Sequence, residues 1–110
     1  MRSGSGLKIH DMARSVRYHP DFDSDVLAAA EWYDERQLNL GSDFVVRVQN
    51  ATLALIADPA RRSPIDFGLR YWPVERFPYV VFYDFTDAEV QVLGVMHTSQ
   101  QPDKWISRRG

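Results

Sequence analysis

Hydrophobic and polar residues change rhythm along this chain, and each change predicts an element. Ser15 to His19 alternates, with Val16 and Tyr18 on one side, which predicts a short strand. His19-Pro20 closes it, because the residue before a proline is biased towards extended backbone. Apolar positions then recur at helical spacing at Phe22, Val26, Ala30 and Tyr33, with Leu27 beside them. Asp23 or Ser24 can cap this helix, and early acids suit its dipole. Ala28-Ala29-Ala30 permits a close neighbour, and Gly41 is the expected stop, since glycine tolerates left-handed backbone. A second helix is expected from near Ser42. Its stripe is Phe44, Val48, Ala51 and Leu55, widened by Val45, Thr52 and Ile56, and Asp58-Pro59 ends it. The short link Leu40-Gly41-Ser42 makes the pair an antiparallel hairpin, about Ser24 to Ala57.

Beyond the polar loop Arg61-Arg62-Ser63-Pro64 the period becomes that of strands. Leu69-Arg70-Tyr71-Trp72 is a short strand, and Pro73 places it at an edge or a bulge. Tyr79 to Phe85 is the strongest strand, Thr86-Asp87-Ala88 a tight connection, and Glu89 to Met96 the antiparallel partner. Pro102 to Ile106 reads as a final helical turn. The order is β-α-α-β-β-β. A helix hairpin must bury its stripe and a sheet offers an apolar face, so the expected fold is a two-layer α+β sandwich, the hairpin packed on an antiparallel sheet. Phe44, Val48, Leu55, Val81, Tyr83 and Val92 are the expected core.

Composition limits what such a domain can do. The chain has 110 residues, the size of one domain, with 45% hydrophobic and 13% aromatic residues, too apolar for a disordered chain. Residues 1–14, with Ser3-Gly4-Ser5-Gly6, read as a flexible extension or an expression-vector remnant, and residues 15–110 as the domain. The absence of cysteine excludes disulfides and thiolate chemistry and fits a reducing compartment. Met1 to Met12 has no apolar signal core, and no run approaches the roughly 20 apolar residues of a membrane helix, so a cytoplasmic location is expected. Three scattered histidines give no metal-ligand set, and neither a glycine-rich phosphate loop nor a Gly-x-Ser-x-Gly elbow occurs. No cofactor is expected.

Net charge is only −2, without the basic excess of a protein that grips nucleic-acid backbone. Its distribution is uneven. Arg61, Arg62, Arg70 and Arg76 face only Asp66 and Glu75 in their stretch, and Lys104, Arg108 and Arg109 lie in the tail. Asp21, Asp23, Asp25, Glu31, Asp34, Glu35 and Asp43 crowd the first half. Either a basic face sits on an acidic body, or this is ordinary solvated surface.

Four segments in order carry a resemblance. They are Ala28-Ala29-Ala30-Glu31-Trp32-Tyr33, Leu40-Gly41-Ser42-Asp43-Phe44, Arg76-Phe77-Pro78-Tyr79-Val80-Val81-Phe82-Tyr83, and Val92-Leu93-Gly94-Val95-Met96-His97 with Pro102 and Trp105 after it. With them the chain resembles the RelE/ParE toxin superfamily over about Ser15 to Arg109. The resemblance implies a growth-inhibiting, plasmid-stabilisation type toxin, neutralised by a cognate antitoxin. Its RelE-like members cut messenger RNA on the ribosome. Its ParE-like members bind DNA gyrase.

Cleavage by 2′-hydroxyl attack needs a base, an acid and cations for the phosphorane charge. RNA-cutting relatives commonly carry an arginine after the aromatic that opens the central strand, and another three residues after the histidine ending the last strand. Here those positions are Val80 and Gln100. The reading therefore leans to a ParE-like toxin that binds a target such as gyrase, without enzymatic activity. The alternative is a ribosome-dependent endonuclease with a remodelled site of Arg70, Arg76 and His97. His97 is more readily read as a strand-end histidine bonded to backbone or to the neighbourhood of Trp105, and Arg70 and Arg76 equally as partners of Glu75, Asp66 or Asp84. Of Trp32 and Tyr33, only one can face the core. The expected partner-binding residues are Arg61, Arg62, Arg70, Tyr71, Trp72, Arg76, Lys104 and Trp105.

Overall fold

The structure is a computed structural model and describes residues 14–65, 68–100 and 107–108. Its elements follow the predicted order: β1 (Ser15–Tyr18), α1 (Phe22–Arg36), α2 (Leu40–Ala57), a single 3-10 turn (Pro59–Arg61), β2 (Arg70–Pro73), β3 (Tyr79–Phe85) and β4 (Glu89–His97). The expected turn at Pro102 to Ile106 lies outside the described residues.

The two helices pack against one face of a four-stranded sheet ordered β1-β4-β3-β2. Three strands are antiparallel, as expected, but β1 joins β4 in parallel, so the sheet is mixed. The helix hairpin explains this difference: it carries the chain across one face before β2 begins. Pro73 closes the edge strand β2, where its missing N–H leaves no inner ladder bond unmade.

Both helix boundaries depart from the sequence reading. α1 starts at Phe22, after Asp21, and Ser24 Oγ donates to the Asp21 carbonyl instead of capping with its own oxygen. The helix stops at Arg36, and the left-handed residue of the link is Asn39 (φ 71°), in place of the Gly41 that the sequence suggests. Gly41 lies inside α2, buried where the two helices touch. A Cβ there would stand 2.2 Å from the Ala30 carbonyl oxygen, so the crossing requires glycine. The Gly41 N–H donates to Asp34 Oδ1 at 2.7 Å, supplying a partner for one of the free donors of the α2 N-terminus.

The six residues expected in the core are all buried, with Phe44, Leu55, Val81, Tyr83 and Val92 fully so. The helix-facing layer joins the α1 and α2 stripes to Val81, Tyr83, Val90, Val92 and Val95. Leu27, placed beside the α1 stripe by its spacing, is exposed. The opposite face buries Leu69, Val80, Phe82, Leu93 and Met96. That two-sided burial is why β3 reads as a near-continuous apolar run.

A β-bulge in β4 decides what the last strand presents. Phe82 pairs with Gly94 and Tyr83 with Val92, leaving Leu93 as the extra residue. Alternation resets there. Val95 and His97, opposite Val81 and Tyr79, thereby return to the helix side, while Leu93 and Met96 pack on the far face.

Candidate functional site

The three groups proposed for a remodelled nuclease do not converge. Arg70 lies on the edge strand opposite Tyr83, whereas His97 is opposite Tyr79 and two strands away. Four residues of strand separate those positions, roughly 13 Å along the sheet. Arg70 Nε donates to the Arg62 carbonyl at 2.7 Å, and its guanidinium stands 4.7 Å from the Phe85 ring centre. Arg76 occupies the turn before β3 with φ 74° and is drawn to α2, its Nη1 2.9 Å from Asp43 Oδ2. Asp43 also accepts from Arg47 Nε at 3.4 Å, and Arg47 pairs with Glu75. Thus Arg76 is ion-paired, though with Asp43, where the sequence had offered Glu75, Asp66 or Asp84. Val80 is buried on the face away from the helices.

The expected partner-binding residues divide among three places. Arg61, Arg62, Arg70 and Trp72 gather along the edge strand and the 3-10 turn, with the Arg62 guanidinium 5.0 Å from the Trp72 ring centre. Tyr71 belongs to the opposite face, against Phe82. Arg76 is at the far end of β2, beside α2. Lys104 and Trp105 lie outside the described residues.

The sequence reading missed an aromatic cleft where α1 meets the ends of β3 and β4. It holds about 580 Å³ and is lined by Trp32, Tyr33, Tyr79 and His97 with Asp25 and Gln100. Of the adjacent aromatics on α1, Tyr33 turns inward onto Phe44, Phe77 and Tyr79, while Trp32 remains exposed. Tyr33 and Tyr79 have ring centres 6.1 Å apart, and His97 stands edge-on to Tyr79 at 5.2 Å. Burial pushes both phenols above the ordinary value of 10.0, and the Tyr79 hydroxyl raises Tyr33 further, so both are protonated donors at neutral pH. His97 Nδ1 accepts the Ser99 N–H at 3.0 Å and lies 2.8 Å from Ser99 Oγ. In neutral imidazole that bond leaves the proton on Nε2. Tyr33 is 46 residues from Tyr79, and no local spacing signals their meeting.

Asp25 in the same cleft binds Arg108, with 2.7 Å between its Oδ2 and Arg108 Nη1, which also donates to the Leu93 carbonyl. A second opening of similar size lies between α1 and α2, walled by Phe22, Val26 and Val48 with the exposed Leu27 and Leu53 at its mouth. Among the described residues no three His, Asp or Glu side chains stand together as metal ligands. No described helix is long and apolar enough to cross a membrane.

Comparison with known proteins adds the family. A solved structure of the chromosomal ParDE toxin–antitoxin system from P. aeruginosa superposes with a TM-score of 0.69, covering 78% of this chain and 97% of that one at 16% identity. At that identity the likeness concerns the fold. The comparison with curated proteins found no match. Residues 16–102 match the family of ParE toxins of type II toxin–antitoxin systems, the parDE kind. That match runs from within β1 past the end of the sheet and includes every described residue of the cleft and of the arginine-bearing edge, and on it the chain belongs to the ParE toxin family.

Proposed function

We propose that this chain acts as a ParE-type toxin, held in check by a cognate antitoxin and working by binding a target such as DNA gyrase, without cutting RNA. The observation that carries the reading is the dispersal of the cations. Phosphoryl-transfer chemistry gains from positioned charge at the phosphate, and losing one good donor costs a factor of roughly 100–1,000. Here Val80 is an apolar core residue, Gln100 is neutral, Arg76 is engaged by Asp43, and Arg70 lies at the far end of the sheet from His97. The arginine-rich edge of Arg61, Arg62 and Arg70 beside Trp72 suits an acidic, partly apolar partner segment of the kind that orders on binding. The test is a supercoiling assay with purified DNA gyrase. The reading expects dose-dependent inhibition by the chain, relieved by the antitoxin, and undiminished gyrase activity at saturating chain would reject that target.

A further inference from the structure

Three polar groups without a hydrogen-bond partner among the described residues meet in the aromatic cleft: the hydroxyls of Tyr33 and Tyr79 and the Nε2 of His97. Each comes from a different element, α1, β3 and β4, and the Leu93 bulge is what brings His97 to this side. Half-buried polar groups are normally paired, and a cluster of spare donors beside apolar walls is the make-up of a ligand site. We propose that this cleft binds a carboxylate carried on an apolar body, with Tyr33, Tyr79 and His97 donating to its oxygens and Trp32 packing on the apolar part.

The chemistry of the lining selects that class. Among the described residues the cleft contains no spare cation: Asp25 is the charged lining residue, and Arg108 answers it at 2.7 Å. A phosphate dianion calls for arginine forks or an ammonium, and the neighbouring guanidinium of Arg108 is already engaged by Asp25. Hydroxyl and ring N–H donors suit a single negative charge instead. The walls of Ala28, Ala29, Pro78 and Val95 are apolar, and the Trp32 ring is stiffened by the Arg36 guanidinium 3.3 Å from its centre. A volume of about 580 Å³ exceeds what a bare acetate fills and accommodates a small aromatic acid or an acidic side chain flanked by apolar neighbours. The inference stands apart from the gyrase proposal, since the cleft can bind such a group whatever the target is.

Isothermal titration and imidazole NMR of the whole chain test it, with four probes: hydrocinnamate, its amide, inorganic phosphate, and the blocked peptide acetyl-Leu-Glu-Leu-amide. Saturable binding of hydrocinnamate or of the peptide is expected, with the His97 ring resonances shifting. The tighter of the two identifies the source as a free acid or a protein side chain. Tyr33→Phe and Tyr79→Phe keep the rings and should each weaken binding about tenfold or more, with melting midpoints showing that the domain stays folded. Absence of saturable binding by both carboxylates, equal binding by the amide or by phosphate, or binding indifferent to both tyrosine variants overturns the proposal.

Discussion

Gly41 lies so close to α1 that a Cβ on it would stand 2.2 Å from the carbonyl oxygen of Ala30 and 2.7 Å from Asp34 Cγ. The helix hairpin therefore owes its crossing to one missing methyl. Gly41→Ala must push backbone from backbone, and the expected cost is roughly 1–3 kcal/mol, read from urea denaturation. An unchanged midpoint would show that the helices part without cost.

Leu55 tests the phase of α2. It is fully buried in the helix-facing core, and Leu55→Ala should lose roughly 2–5 kcal/mol. A loss below about half a kilocalorie would be typical of surface positions and would contradict the packing.

Alkaline stability reports the buried tyrosines. Tyr83 is fully buried and donates to the Pro59 carbonyl at 2.7 Å. Burial pushes its phenol above 10.0, although Arg70 and Arg62 draw it partly back. The folded protein thus keeps its proton where the unfolded chain has lost it. Stability from this group is full below pH 10 and falls as pH rises through the folded value, and Tyr33 and Tyr79 act with the same sign. Tyr83→Phe should flatten that alkaline fall while costing roughly 1–3 kcal/mol at neutral pH through the orphaned carbonyl. A parallel fall in variant and parent would reject the assignment.

The Asp25–Arg108 pair ties residues 83 apart in sequence, with side chains only 16% and 10% exposed. Arg108→Ala should cost about 2 kcal/mol in chemical denaturation, and adding Asp25→Asn should restore part of it, because the stranded carboxylate is then gone. Strict additivity in this double-mutant cycle would show that the two charges do not interact.

Element order, helix phase and the inner core were legible because each rests on a local period: Phe44, Val48 and Leu55 on one helical stripe, Val81 and Tyr83 on one strand face. The parallel pairing of β1 was not, because strand partnership depends on where the hairpin carries the chain. Gly41 reads in the sequence as a helix stop. Its role is contact with α1, and Asn39 takes the left-handed turn. The cleft was hidden twice over. Tyr33 and Tyr79 meet across 46 residues, and His97 faces them only through a one-residue bulge at Leu93 that alternation alone does not reveal. The sequence presents Arg76 as a cation free for an anion or paired with a near neighbour, whereas its partner, Asp43, is 33 residues away.

The most direct test of a toxin that binds without cutting follows both outcomes in the same cells. After induction of the chain, plasmid topology and transcript 5′ ends are measured side by side. The account predicts loss of negative supercoiling with no new ribosome-dependent transcript ends. Transcript cleavage with unchanged supercoiling, abolished by His97→Ala or Arg76→Ala, would contradict it.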